Sequence, residues 1–207
     1  MRALGLAPKG GLGFGLDINN RGQIVGGGEY DYPNGFMSGG GNAFLCSGDG
    51  PMQDLGFLGC AHAINDGGDI VGTSGSAAFI YQSGGPMCNL GSLGGPGNFV
   101  NRAYGINDSG RVVGFADAPG FCFHAFRTAP DQLINPATDD LGTLGGRFSA
   151  ATGINDSGQV VGYSDIRNNQ GSHAFIYSGT GPMQDLNNLI PSASGWTLSY
   201  ANAINNN

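Results

Sequence analysis

The fold is decided by the stretch GINDSGQVVGYSD, residues 153–165, because close copies of it recur along the chain. The copies are GINDSGRVVGFAD at residues 105–117, AINDGGDIVGTSG at 63–75 and DINNRGQIVGGGE at 17–29. The isoleucine of the shared Ile-Asn pair falls at Ile18, Ile64, Ile106, Ile154 and Ile204, at spacings of 46, 42, 48 and 50 residues. Such a period indicates a repeat architecture rather than a single irregular domain.

Each repeat holds four short apolar runs separated by turn residues. In the last complete copy the runs are AATGIN, GQVVGYSD, SHAFIYS and PMQDLNNL. Their length, their β-branched content and their Gly, Asn, Asp and Ser boundaries predict strands. The sequence NDSG between the first two runs predicts a hairpin in which Gly110 or Gly158 supplies a positive φ.

Four strands in a period of about 45 residues are typical of a β-propeller blade. We therefore predict an all-β fold, a small propeller of about five blades, built from a single repeat domain over residues 1–207. The complete repeats span residues 13–59, 60–101, 102–149 and 150–200, and a partial fifth combines residues 201–207 with residues 1–12. Sharing a blade between the termini would remove a sheet edge. A β-solenoid, a four-bladed ring and a piece of a longer array are the alternatives.

Composition excludes several function classes. The 207 residues carry a net charge of −7 with a single lysine, Lys9, so binding to a nucleic acid backbone is not expected. No apolar run approaches the length of a membrane span, and the first residues lack the apolar core of a signal peptide. We expect neither a membrane span nor an export signal in this chain.

The motif HAF occurs at residues 124–126 and 173–175, together with GINDSGQVVG and DLGTLGG. This combination resembles the HAF repeat family of extracellular bacterial proteins, and the resemblance covers nearly the whole chain. It implies an exported or cell-surface protein. It implies little about activity, because the family is defined by a structural repeat.

In a propeller, the first strand of each blade lines the central channel, so equivalent positions form rings. The candidate metal ligands are Asn19, Asn65, Asn107, Asn155, Asp66, Asp108 and Asp156. Amide and carboxylate oxygens are the hard ligands that Ca²⁺ prefers. The alternative, which repetition in every blade favours, is that these side chains only satisfy backbone groups in their own hairpins.

Positions where the copies disagree are better candidates for chemistry. Two residues before the shared isoleucine stand Leu16, His62, Tyr104, Thr152 and Asn202. His62 is a candidate general base, and Tyr104 could orient a substrate oxygen. Both residue types more often serve packing and hydrogen bonding. Glu29, the only glutamate, lies beside the aromatic insertion YDYPNGF and is a third candidate, with a solvated loop acid as the alternative.

Three functions follow as hypotheses. The first is a Ca²⁺-dependent hydrolase of small lactones or esters at the channel, by analogy with propeller lactonases, with His62, Tyr104 and Glu29 as catalytic residues. The second is a non-catalytic propeller that binds glycans or surface partners through aromatic loops, among them the single tryptophan, Trp196. The third is a structural unit of a surface array. Self-association through the incomplete blade is a further expectation.

Overall fold

The first two repeats each form four strands, as the sequence predicts. The computed structural model describes residues 13–28, 41–48 and 50–206. Repeat one contains β1 (Gly13–Ile18), β2 (Gln23–Gly28), β3 (Asn42–Ser47) and β4 (Gln53–Leu58). Repeat two contains β5 (Cys60–Ile64), β6 (Ile70–Ser74), β7 (Ala77–Tyr81) and β8 (Met87–Asn89).

The next two repeats follow the same plan with one variation. Repeat three contains β9 (Arg102–Ile106), β10 (Val112–Ala118) and β11 (Cys122–Arg127), and an isolated bridge from Phe126 to Asp140 stands in for its fourth strand. Repeat four contains β12 (Gly145–Ile154), β13 (Val160–Ile166), β14 (Ser172–Tyr177) and β15 (Gln184–Asp185).

Helical structure in the described residues is limited to three short 3-10 segments, Arg167–Asn169, Leu186–Leu189 and Ser192–Ser194. The prediction of an all-β protein is therefore confirmed. None of these segments has the length and apolar character that crossing a lipid bilayer would require.

Each repeat is an antiparallel meander in which consecutive strands pair. Neighbouring repeats are joined by very little strand pairing. The pair Gly27 and Cys60 links β2 to β5, and the parallel pair Phe123 and Phe148 links β11 to β12. Cohesion between repeats must therefore come mainly from side chains rather than from a continuous ladder.

The hydrophobic core is divided among the junctions between repeats. One cluster joins Val25 of repeat one to Ile64 and Phe79 of repeat two, and a larger one joins repeats two and three. A third joins Val113 of repeat three to Phe175 of repeat four. Because the apolar side chains meet across junctions, a repeat cannot bury its hydrophobic faces alone, as in other repeat proteins.

The first strand of every complete repeat contains a bulge opposite an invariant glycine. The pairing of β9 with β10 passes from Gly105 to Ala103 and skips Tyr104. Opposite lies Gly114, where an added Cβ would stand 1.9 Å from the carbonyl oxygen of Arg102. The glycines equivalent to Gly114 in the other repeats show the same close approach, so the final glycine of the VVG motif is set by packing.

The first residue of the HAF motif pairs with the acid of the fourth strand. His173 Nδ1 lies 2.6 Å from Asp185 Oδ2, and His124 Nδ1 lies 2.9 Å from Asp140. In repeat one, Asn42 Nδ2 donates to Asp54 at 2.8 Å. In repeat two neither partner is present, because Ala77 occupies the position of the donor and Asn89 occupies the position of the acid. The donor and the acid are therefore kept or lost together, which indicates that these histidines serve as hydrogen-bond partners of the acid.

The His173–Asp185 pair makes a testable contribution to stability. Burial raises the pKa of Asp185, but hydrogen bonds from His173 and Asn187 outweigh it and hold this pKa below its ordinary 3.8. The contribution is therefore present above pH 3.8 and is lost as the pH falls through the lowered pKa. We expect His173→Ala to lower the free energy of unfolding by about 1 kcal/mol at pH 7, measured by urea unfolding.

His173→Asn is the matched control, since it restores the donor found in repeat one and should cost less than His173→Ala. The double variant His173→Ala/Asp185→Asn reproduces the pair of repeat two. Its loss in free energy of unfolding should be smaller than the sum of the losses of the two single variants by about 1 kcal/mol, which is the coupling energy of the pair. Strictly additive single changes would show that the two side chains do not stabilise each other.

Candidate functional site

The asparagines predicted as metal ligands form a ladder between repeats. Asn19 Nδ2 donates to the carbonyl of Asn65 at 2.9 Å, Asn65 to Asn107 at 3.2 Å, Asn107 to Asn155 at 3.0 Å and Asn155 to Asn205 at 3.1 Å. The Oδ1 atom of each of the first four accepts the backbone N–H four residues further on. One end of each amide therefore closes its own hairpin, and the other end binds the next repeat.

The neighbouring acids form a second row of contacts. Asp66 Oδ1 accepts the backbone N–H of Asn20 at 2.8 Å, Asp108 that of Asp66 at 2.9 Å and Asp156 that of Asp108 at 3.1 Å. The row ends with Asn206 Oδ1, which accepts from Asp156. Hydrogen bonds from the side chain and backbone of Asn20 lower the pKa of Asp66. Each of these carboxylates thus accepts a backbone hydrogen bond from the preceding repeat.

All five copies of this turn border one concave space of about 340 Å³. Its lining includes Asn19, Asn65, Asn107 and the carboxylates Asp66, Asp108 and Asp156. Segments of all the repeats thus border one space, but the side-chain oxygens of Asn19, Asn65 and Asn107 and of Asp66 and Asp108 accept backbone hydrogen bonds. Among the described residues, no group of three or more His, Cys, Asp or Glu side chains converges as a metal site would require.

The variable position before each isoleucine is the bulged residue of the first strand. The strand pairing skips Leu16, His62, Tyr104 and Thr152 alike. A bulge turns its extra side chain away from the regular alternation, which explains why this position tolerates different residues.

His62 uses this position for a contact between repeats. Its Nδ1 lies 2.8 Å from the carbonyl oxygen of Ala103, which can only accept, so Nδ1 carries the proton. Thr152 Oγ1 donates to the equivalent carbonyl in the next repeat, that of Ala201, at 2.5 Å. Burial lowers the pKa of His62, the bond to Ala103 opposes this, and Arg102 lowers it further. The structure thus gives His62 a bond that threonine also makes, and leaves Nε2 as the only nitrogen able to accept a proton.

Aromatic rings gather on the same side of repeats two to four. The rings of His62 and Tyr104 lie 5.3 Å apart, those of Tyr104 and Phe115 5.8 Å, and those of Phe115 and Phe123 4.7 Å. Phe123 stacks on Phe148 at 4.7 Å. We call these rings, together with Phe99 of the loop before β9, the aromatic band.

The hairpin turns that begin at the asparagines of the ladder, which we call the asparagine turns, lie at one end of the strands. The aromatic band lies toward the other end. Phe115 pairs with Arg102 at the start of β9, whereas Asn107 follows the end of that strand. A second ring pair, Tyr163 and Tyr200 at 4.8 Å, continues the band into repeat four and the C-terminal segment. Burial raises the pKa of Tyr163, and the nearby Tyr104 and Tyr200 raise it further. These tyrosines therefore belong to one neighbourhood.

A buried carboxylate fixes the loop that carries Phe99. Asp117 is fully buried, and its Oδ2 accepts the backbone N–H groups of Gly97 and Asn98. The backbone carbonyl of Asp117 accepts from Leu93 and Gly95. Sequence reasoning missed Asp117, although the aspartate that ends both VVGFAD and VVGYSD was a signal for it.

The remaining candidates are dispersed. Glu29 and the insertion beside it lie outside the described residues. Trp196 lies in the segment after β15, is 77% exposed and does not pack between repeats. Of the three predicted catalytic residues, the structure therefore brings together His62 and Tyr104.

The fold and these contacts define an all-β repeat protein with a structural turn at one end of its strands and an aromatic band at the other. The chain belongs to the family described as "Protein of unknown function (DUF3466)", whose model matches residues 95–207. That span holds the whole aromatic band except His62. No curated protein and no solved structure matches the chain.

The asparagine ladder can be tested at its most buried step. Asn107→Ala removes the donor to Asn155 and the acceptor for Arg111, both buried or nearly so. We expect the free energy of unfolding to fall by about 2–4 kcal/mol in urea unfolding. Asp108→Asn is the control, because an amide Oδ1 still accepts from Asp66 as Asn206 does from Asp156. It should change stability by about 0.5 kcal/mol or less. Equal stability of Asn107→Ala and the wild type would contradict the ladder.

Proposed function

We propose that the protein is a non-catalytic binding module that holds a glycan on its aromatic band. The observation that carries this proposal is the row of rings that runs across three repeats at one end of the strands. Rings linked at 4.7–5.8 Å present adjoining apolar faces and edges. Aromatic side chains offer large, rigid contact area with little loss of conformational freedom, and they dominate the energetics of recognition surfaces.

The aromatic band is not a requirement of the repeat. The position of Phe115 is Gly27 in repeat one and Thr73 in repeat two, and the position of Phe123 is Ser76 in repeat two. These small and polar residues show that the strands form without a ring there. Each ring of the band is only partly buried, in contrast to the fully buried phenylalanines of the core. A partly exposed cluster that the scaffold does not need supports a role in binding.

Exposed aromatic side chains extend the same side of the molecule. Tyr200, the partner of Tyr163, is 61% exposed. Phe121, at the turn between β10 and β11, is 63% exposed, and its carbonyl accepts from Arg147, whose guanidinium lies over the ring of Phe148. A chain of sugars could therefore contact rings along the band and beyond its ends.

The architecture proposed with this function is a five-bladed propeller. Four meanders and a cavity bordered by all five copies support it. In that arrangement the asparagine turns surround one end of the axis, and the aromatic band lies at the opposite end. The HAF resemblance supports an extracellular or cell-surface location. Self-association through the incomplete fifth repeat belongs to the same proposal.

Glycan binding is tested by affinity electrophoresis against a panel of neutral and acidic polysaccharides. We expect retardation by at least one member, and Tyr104→Ala and Phe123→Ala should each weaken it by about tenfold, since loss of an aromatic contact costs about 1–1.5 kcal/mol. Phe14→Ala is the control, because Phe14 is an exposed ring of repeat one. If no polysaccharide of the panel retards the protein, or if all variants are retarded equally, the proposal is refuted.

The calcium-dependent hydrolase stays a prediction, and the shared acidic cavity is the observation in its favour. If the cavity bound Ca²⁺, calcium would raise the melting temperature above that in a chelator. Asp108→Asn would reduce this difference, and His62→Ala would abolish lactone hydrolysis. Identical melting with calcium and with chelator, together with no hydrolysis of acyl lactones, would refute this function while leaving glycan binding untouched.

A further inference from the structure

Arg102 differs from the exposed Arg21 and Arg167 in that its guanidinium is partly buried while few of its N–H donors have a partner. Its side chain is partly buried, and its Nε is fully buried without a hydrogen-bond partner. Its only side-chain hydrogen bond runs from Nη1 to the hydroxyl of Tyr104, at a long 3.5 Å. A guanidinium offers five N–H donors, so most of this group's capacity is unmet.

Other arginines of the chain show how such a group is normally satisfied. Arg127 donates to the carbonyl oxygens of Gly158 and Gly179 at 2.7 and 3.2 Å and covers the ring of Tyr177. Arg111 donates to the carbonyl of Thr128. The ion pairs found among the described residues are those of His124 and His173, and Arg102 takes part in neither. A buried donor without a partner costs about 1–3 kcal/mol, and more when it is charged.

Arg102 is also a departure from the repeat. The equivalent positions are Phe14, Cys60, Ala150 and Tyr200. No feature common to the repeats therefore requires an arginine at the start of β9. Its position is next to the rings of the aromatic band, since it pairs with Phe115 and contacts Tyr104.

We propose that Arg102 binds the carboxylate of an acidic polysaccharide whose sugar rings stack on the aromatic band. This inference rests on the proposed glycan binding and names the class of glycan. The planar guanidinium matches a carboxylate through two parallel hydrogen bonds, which a neutral sugar cannot supply. The carboxylate would accept from the Nη donors that have no partner in the folded chain.

The acidity of the chain does not oppose this interaction. The carboxylates of the asparagine turns lie at the opposite end of the strands, and charges are screened over about 8 Å at physiological salt. At the end that carries the band, Asp117 accepts two backbone N–H groups, and Asp165 accepts from Ser172. Local charge at Arg102, rather than the net charge of −7, therefore decides binding.

The test uses one sugar in two charge states. The probes are oligogalacturonate and the same oligomer with its carboxylates methyl-esterified, and binding is measured by isothermal titration calorimetry. Polygalacturonate, alginate and dextran sulfate are compared by affinity electrophoresis. We expect a carboxylated probe to bind at least tenfold more tightly than the ester, with the affinity falling as sodium chloride is raised.

Variants assign the preference to Arg102. Arg102→Gln should lose at least tenfold in affinity for the carboxylated probe and bring it to the level of the ester, because a charge-assisted bidentate pair is lost. Arg102→Lys keeps the charge without the planar fork and should be intermediate. Arg21→Gln removes an exposed cation in an asparagine turn and should bind like the wild type. Melting temperatures confirm that each variant is folded, and a misfolded Arg102→Gln leaves Arg102→Lys to decide.

The outcomes separate this inference from the function on which it rests. If neutral glycans bind in a manner that requires Tyr104 and Arg102→Gln has no effect, the proposal that Arg102 binds a carboxylate is refuted. The proposed glycan binding is then still supported. Equal binding to dextran sulfate by the wild type and Arg102→Gln, with no preference for the acid over the ester, would show non-specific adsorption of polyanions. Binding to no carbohydrate would overturn both proposals.

Discussion

The fold depends on one asparagine side chain in each repeat that forms hydrogen bonds both within its own hairpin and to the next repeat. An asparagine carries an acceptor and a donor, and in this protein the acceptor closes a hairpin while the donor reaches the following repeat. Local turn formation and contact between repeats are thereby coupled in a single residue. Alanine could fill the space but supply neither bond, and aspartate would lack the donor. This coupling explains why the Ile-Asn pair is the best preserved feature of the sequence.

The bulge and the glycine opposite it divide each repeat into a fixed and a variable part. The VVG glycine allows the backbone of the first strand to approach so closely that any side chain would collide with a carbonyl oxygen. The bulge that follows releases one side chain from the alternation of the strand. Leucine, histidine, tyrosine and threonine can all occupy that position, because the scaffold depends on the backbone geometry there. The protein can thus vary its surface without disturbing the ladder.

The sequence predicted those features that depend on neighbours in the chain. The strands and the positive φ of Gly110 and Gly158, +74° and +79°, were accessible from local pattern. The boundary predicted between residues 149 and 150 falls inside β12, which begins at Gly145. The bonds of the asparagine side chains within their own hairpins match the alternative stated from the sequence. Their bonds to the next repeat were not predicted, because the direction of an amide depends on the adjacent repeat. The aromatic band was missed for the same reason, since its rings come from separate repeats and one-residue offsets at the bulges decide which of them meet. The departure of Arg102 from the equivalent residues of the other repeats is visible in the sequence, but its unmet donor appears only in the folded chain.

The ladder has a direction. Every asparagine amide donates toward the C-terminal neighbour, and every accepting carbonyl faces the N-terminal one. Two arrays of this kind could be joined through their ladders only head to tail, because a two-fold axis would set donor against donor or acceptor against acceptor. Heterologous contacts of this sense generate rings when the rotation closes and open filaments when it does not. The chemistry of one side chain therefore restricts the symmetry of any assembly that extends the repeat, before shape or surface charge is considered.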